Sequence, residues 1–202
     1  MRDIILRLHD IEAIKFGDFR LKSGIESPFY IDLRLITSYP ILLKSITEEM
    51  WKKINEIDFE VICGVPLTAI PMATAISLDQ NIPMIMRRKE VKKHGTKKVI
   101  EGVYRPGQRC VIVEDLITSG ISILETVEPL KQEGLIVKDV VLLIDREQGG
   151  RENLEERNIN LHAVMTISDI LSVLIEENRI EKTVANQVNI FINQNQRVLV
   201  GS

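Results

Sequence analysis

Cysteine is scarce in this sequence. Cys63 and Cys110 are the only two in 202 residues, and both lie in apolar, strand-like runs. They read as buried free thiols, and no Cys/His cluster has the spacing of a zinc site. Aromatic residues make up only 4 % of the chain, with a single tryptophan. None of them interleaves the basic residues described below, so the stacking platform of a single-strand nucleic-acid binder is missing. No apolar run approaches the ~20 residues needed to span a bilayer. The opening stretch contains acids and lacks a small-residue cleavage site, so it does not read as a signal peptide. The expected location is the cytoplasm, with no membrane partner. There is no G-x-x-x-x-G-K-[ST] loop and no G-x-G-x-x-G after a strand, so the two common nucleotide-binding fingerprints are absent. The net charge of −3 and pI near 5.7 argue against a general nucleic-acid binder. There is no internal repeat, low-complexity tract or shift in composition, and residues 1–202 are expected to form one domain.

What is present is a rhythm. "DIILRLHDIEAI" has helical spacing of Ile4, Ile5, Leu8, Ile11 and Ile14. "FGDFRLKSGIESPFYIDLR" alternates around Ser23-Gly24 and Pro28, which predicts two strands and a turn. "SYPILLKSITEEMWKKINEI" predicts an amphipathic helix with Ser38 as N-cap and Pro40 in the first turn. Short apolar runs then alternate with helical segments. Strands are expected at "FEVICGV", "PMIMRR", "RCVIVEDL", "VKDVVLLID" and "INLHAVMTI". Helices are expected at "LTAIPMATAISL", at "GISILETVEPLKQEG" with Gly134 ending it, and at two closing segments, "SDILSVLIEEN" and "EKTVANQVNIFINQ". Met72, Met84 and Met86 read as core. The pattern predicts an α/β fold with a mainly parallel sheet covered on both faces.

Within that pattern, "VIVEDLITSGIS" places Glu114 and Asp115 at the carboxyl end of a buried strand, with Thr118, Ser119, Gly120 and Ser122 leading into a helix. Ligands of open parallel sheets sit beyond such strand ends. The unpaired N–H groups of a helix start favour an anion, and two carboxylates can accept hydrogen bonds from a vicinal diol. The combination suits a ribose 5-phosphate. The same residues would also suit a plain helix start, with Thr118 or Ser119 as an ordinary cap. A second feature is "RRKEVKKHGTKKVIEG", where seven Lys or Arg and one His fall within twelve residues of an acidic protein. A compact polyanion such as pyrophosphate is a better partner for it than nucleic acid.

Several of these segments together resemble one family. The strand–Glu–Asp–Leu–Ile–Thr–Ser–Gly run resembles the phosphoribosyl pyrophosphate (PRPP) motif of type I phosphoribosyltransferases. "FGDFRLKSGIESPFYIDLR", "ICGVPLTAIPMAT", "RRKEVKKHGTKKVIEG" and "LIDREQGG" resemble orotate phosphoribosyltransferase, in particular the version that forms the N-terminal half of bifunctional UMP synthase. The resemblance runs from about Phe16 to Gly150. It implies the type I phosphoribosyltransferase fold, with a small N-terminal hood and a mobile catalytic loop. It implies orotate and PRPP as substrates, Mg²⁺ carried by PRPP with no direct protein ligand, and a homodimer whose 88–102 loop serves the neighbouring subunit.

Roles follow from the same resemblance. Lys92, Lys89, Arg88 and His94 would reach the pyrophosphate, and Gly95 would serve as a hinge. Glu114 and Asp115 would hold the ribose diol, and Thr118, Ser119, Gly120 and Ser122 the 5-phosphate. Gly64, Val65 and Thr68 would lie beside the pyrophosphate. Lys22, Phe29, Tyr30, Thr118 and Arg146 would form the orotate side, with Lys22 reaching orotate or the pyrophosphate and Arg146 pairing with the orotate carboxylate. Phe29 and Tyr30 should face opposite ways, one of them in the core. Asp145 and Glu147 read as structural partners. The residues after Asn195 leave no room for a decarboxylase domain, so decarboxylation is not expected of these residues. Two rivals are a transferase for a purine base and a PRPP-sensing regulator that binds nucleic acid. The orotate-like segments argue against the first, and the intact Lys89/Lys92/His94 loop against the second.

Overall fold

The computed structural model describes residues 1–20, 24–88 and 99–196. Six strands form one sheet in the order β5-β4-β3-β6-β7-β8. They are β3 (Val61–Gly64), β4 (Met84–Arg87), β5 (Ile100–Glu101), β6 (Arg109–Ile117), β7 (Ile136–Asp145) and β8 (Asn160–Thr166). All neighbours run parallel except the short β4–β5 pair. The central strands are buried on both faces: Cys110 to Val113 in β6 and Val140 to Ile144 in β7 are all core residues. That explains why they read as continuous apolar runs and not as alternating ones.

The helices cover the sheet. α2 (Pro40–Ile54) buries Leu42, Ile46, Met50 and Ile54, a stripe at four-residue spacing. Beside it packs α3 (Ala69–Gln80). Chain order reverses between β3 and β6: β3 leads through α3 to β4 on one side, and β6 leads through α4 (Ile121–Gln132) to β7 on the other. With right-handed crossovers this puts α3 and α4 on opposite faces and opens a crevice at the switch point. A separate antiparallel hairpin, β1 (Ile14–Arg20) with β2 (Glu26–Ile31), forms the N-terminal hood. It is tied to the body by α7 (Lys182–Gln194), where Phe29 meets Phe191 edge-on at 6.0 Å. The remaining helices are α1 (Arg2–Asp10), α5 (Gly150–Glu155) and α6 (Ile167–Glu176).

Some boundaries differ from the sequence expectation. The first helix stops at Asp10, because Glu12 turns left-handed (φ 59°) and Ile14 begins β1 instead of extending the helix. Ser38 ends a 3-10 helix (Leu33–Ser38), and Tyr39 is the N-cap of α2, with Pro40 at its start. Met72 is core, but Met86 is 43 % exposed, on a strand whose outer neighbour among the described residues is the two-residue β5. Cys63 and Cys110 are free and buried. Burial pushes the Cys63 thiol up to about 11 and also raises Cys110, which leaves both thiols inert near neutrality. Gly134 has φ 84° just past α4, as a terminating glycine should.

Candidate active site

The carboxyl ends of β3 and β6 meet at the switch point, and the acidic pair stands there. Glu114 is buried, and Asp115 is half-buried. Glu114 accepts hydrogen bonds from the Ser122 hydroxyl at 3.0 Å and from the Asp115 N–H at 3.0 Å. Asp115 accepts from the Leu116 N–H at 2.8 Å. The Thr68 hydroxyl also stabilises the Asp115 charge, so the turn after β3 and the turn after β6 face one another. Burial pushes the Glu114 carboxyl well above the ordinary carboxylate range, and the Asp115 charge beside it adds to the effect. Burial raises Asp115 too, against the pull of its hydrogen bonds. A pair placed this way readily holds a proton, and it gains from any ligand whose hydroxyls donate to it.

Beyond the pair, the chain turns into α4. Gly120 is the N-cap with φ 82°, and no side chain caps the helix. Neither Thr118 nor Ser119 closes this end, so the plain-cap reading of these residues does not hold. α3 begins similarly, at Thr68, with no side-chain cap. The β6–α4 turn is supported by the turn that follows the next strand. Arg146 N–H donates to Ile117 O at 3.1 Å, and Asn153 Nδ2 donates to Ser119 O at 2.9 Å. A Cβ on Gly150 would sit 2.5 Å from Ile117 Cγ1 and 2.7 Å from Thr118 O. Only glycine allows α5 to come this close.

The β7–α5 turn carries Arg146, whose guanidinium lies 4.7 Å from the centroid of the Phe29 ring. Phe29 is fully buried, so it backs Arg146 from the core. Tyr30 points to the other side of β2. There it meets Phe19 at 5.7 Å, and its hydroxyl lies 3.4 Å from Arg34 Nη2. The structure therefore joins Phe29, but not Tyr30, to Arg146. Asp145 is buried and structural: it accepts from Glu147 N–H at 2.9 Å and pairs with Arg151 at 3.1 Å.

Other expected residues are placed less directly. Gly64 ends β3 with no room for a Cβ against Ala69 O and Ala73, both 3.0 Å away. Val65 donates its N–H to Val113 O at 2.9 Å, so this amide serves the sheet and is not presented to a ligand. Thr68 is the residue of that turn that reaches the site. Arg88 pairs with Glu101 and donates its N–H to Val99 O at 2.8 Å, at the base of the basic segment. Lys22, Lys89, Lys92, His94 and Gly95 lie outside the described residues. Sequence reasoning passed over Arg87. It ends β4 at the same sheet edge, 3.8 Å from Glu125 of α4, and its buried Nε has no hydrogen-bond partner among the described residues. An arginine closing a buried strand was the signal that singled out Arg146, and it applied equally here.

Residues 35–170 match the model of the phosphoribosyl transferase domain. The chain is 44 % identical over 178 residues to an orotate phosphoribosyltransferase of Caenorhabditis elegans, covering 87 % of this chain and 78 % of that protein. The chain belongs to the orotate phosphoribosyltransferase family. It is 47 % identical to the uridine 5′-monophosphate synthase of Bos taurus over 95 % of its own length, and spans 40 % of that protein. The solved structure of Leishmania donovani UMP synthase superposes with a TM-score of 0.87 at 35 % identity, covering 96 % of this chain and 42 % of that one. The fold is therefore that of the type I phosphoribosyltransferases, as the family motifs implied. No helix among the described residues is long and apolar enough to cross a membrane.

Proposed function

We propose that residues 1–202 form one transferase domain that moves the 5-phosphoribosyl group of PRPP to N1 of orotate, giving orotidine 5′-monophosphate and pyrophosphate for pyrimidine biosynthesis in the cytoplasm. The observation that carries this reading is the uncapped start of α4 beside the Glu114–Asp115 pair at the switch point. The helix start takes the 5-phosphate through Thr118, Ser119, Gly120 and Ser122. Glu114 and Asp115 accept the ribose hydroxyls and fix the ring. Arg146, backed by Phe29, takes the orotate carboxylate with its planar fork. The C1′–O bond breaks with oxocarbenium character as N1 of orotate, already anionic, approaches from the opposite face. Charge on the departing pyrophosphate is met by Arg88 and by Lys89, Lys92 and His94 of the basic segment.

Magnesium belongs with the substrate in this reading. The acidic pair offers two carboxylates, and among the described residues no group of three or more possible ligands occurs. That donor set suits an ion already chelated by PRPP oxygens better than one caged by protein. The ion would supply further charge neutralisation at the pyrophosphate.

The active unit is a homodimer with the 88–102 loop acting in trans. In support, α3 is apolar around most of its circumference, and Leu67 and Leu78 at its two ends are 80 % and 79 % exposed. The decisive assay follows orotate absorbance on adding PRPP and Mg²⁺, with hypoxanthine, adenine and uracil as competitors. Orotate consumption that needs both additions is expected. A protein that binds PRPP but consumes no base would refute the reading. Lys92→Ala should lower turnover on the order of 10²-fold. Mixing Lys92→Ala with Asp115→Ala subunits should restore activity, and failure to do so in proven mixed dimers would exclude sharing in trans.

A further inference from the structure

The residue after Arg146 is held in an unusual conformation from several directions. Glu147 has φ 56°, a left-handed backbone that a residue with a side chain keeps only where its surroundings enforce it. Its N–H donates to Asp145 Oδ1 at 2.9 Å. Its carbonyl accepts from Gln196 Nε2 at 3.1 Å, just past α7. Its carboxylate accepts from Ser168 N–H at 2.8 Å and from the Ser168 hydroxyl at 2.6 Å, in the first turn of α6. Gln148 Nε2 donates to Asn195 O at 3.3 Å and adds a second tie to the same end of the chain. Phe191 of α7 meets the edge of Phe29, on whose face Arg146 rests. Two helices far along the chain thus converge on one residue of the base-side turn, and they leave the phosphate-side turn to Gly150 and Asn153.

We infer that Glu147 is a positioning residue for Arg146: clamped by Ser168 and Gln196, it aims the guanidinium at the carboxylate of the base and so sets the preference for orotate over bases that lack one. This rests on the assignment of Arg146 to the orotate carboxylate. An arginine is a long, flexible side chain, and its fork discriminates only if the backbone that carries it is fixed. The conformation of Glu147 fixes that backbone at the adjacent peptide.

The test is steady-state kinetics on the dimer for Arg146→Ala, Glu147→Ala, Glu147→Gln, Gln196→Ala and the Arg146→Ala/Glu147→Ala double variant, with uracil as competing base. Glu147→Ala should raise the KM for orotate about 10-fold, the scale set by losing the alignment of one charged hydrogen-bonding group. It should narrow orotate-over-uracil discrimination by a similar factor and leave the KM for PRPP unchanged. Glu147→Gln, whose amide oxygen still accepts from Ser168, should recover much of the loss. The double variant should be no worse for orotate than Arg146→Ala alone, because Glu147 acts only through Arg146. An unchanged KM for orotate, equal rises in both KM values, or additive losses in the double variant would each overturn the clamp. If Arg146→Ala itself leaves the orotate KM unchanged, the assignment of Arg146 fails first. If Glu147→Ala does not fold, Gln196→Ala carries the test alone, with a two- to threefold rise for orotate only expected and no rise overturning the inference.

Discussion

Two helices start at the same edge of the sheet and are finished in opposite ways. α6, after β8, closes its own first turn. Thr166 accepts from Asp169 N–H at 3.1 Å, Asp169 accepts from Thr166 N–H at 2.8 Å, and Glu147 takes the N–H of Ser168. α4, two strands away after β6, has Gly120 as its N-cap and no capping side chain. A closed start adds stability, typically about 1 kcal/mol for the cap. An open start forgoes that contribution and keeps oriented donors for an anion. The chain thus closes the end that supports the fold and leaves open the end to which the proposed function gives the phosphate.

The sharpest way to break the comparison is to fill the open end. Gly120→Asp would place a carboxylate where a phosphate should sit, on a backbone at φ 82°. The expected loss in kcat/KM for PRPP is about 10²-fold or more, since like charges brought together cost several kcal/mol. Unchanged PRPP kinetics would show that the α4 start is not the phosphate site. Gly150→Ala attacks the support beneath it. With a methyl 2.5 Å from Ile117, thermal unfolding should show a loss of about 1–3 kcal/mol, and both substrate KM values should rise. Opening the closed end gives the opposite profile. Thr166→Ala should lower stability by about 1 kcal/mol, read as a small drop in Tm, with both KM values retained.

The smallest effect is in the pH dependence of stability. Glu114 has a raised carboxyl in the folded chain because it is buried beside Asp115. The folded state therefore holds this proton more tightly than the unfolded chain. The associated stability is complete below the unfolded value and is lost as pH rises through the folded one. Glu114→Gln cannot lose a proton. Relative to the native sequence, its Tm without substrate should be higher at pH 8, and the gap should close near pH 4.

Much of this was legible in the sequence because burial writes itself into composition. Val111–Val113 and Val140–Ile144 are buried on both faces, so their runs are uniformly apolar and announce a parallel sheet. The Glu114–Asp115–Thr118–Ser119–Gly120 order was legible because each residue type serves one local need. Features decided across the fold were not. β5 has two residues, too few for any period. α5 is capped by Gly149, with φ 89°, and begins at Gly150, which is needed for its close approach, and no helix was expected there. Glu147 read as a structural partner, but which groups it ties together depends on the return of Ser168 and Gln196 from later in the chain. Glu12 ended α1 by a turn that no glycine signalled.

The Gly150 contact also marks a boundary for protein engineering. Within six residues, Asp145 to Gly150, the turn passes from a part held through side chains to a part held through backbone with no space to spare. Side-chain ties can be exchanged in small steps, and a library aimed at a new nucleobase should vary Glu147, Ser168 and Gln196. Gly150 and Asn153 belong to the chassis, because they hold up the β6–α4 turn proposed to take the ribose phosphate. A library that spared those two positions would explore base preference without dismantling the sugar site that every such transferase must keep.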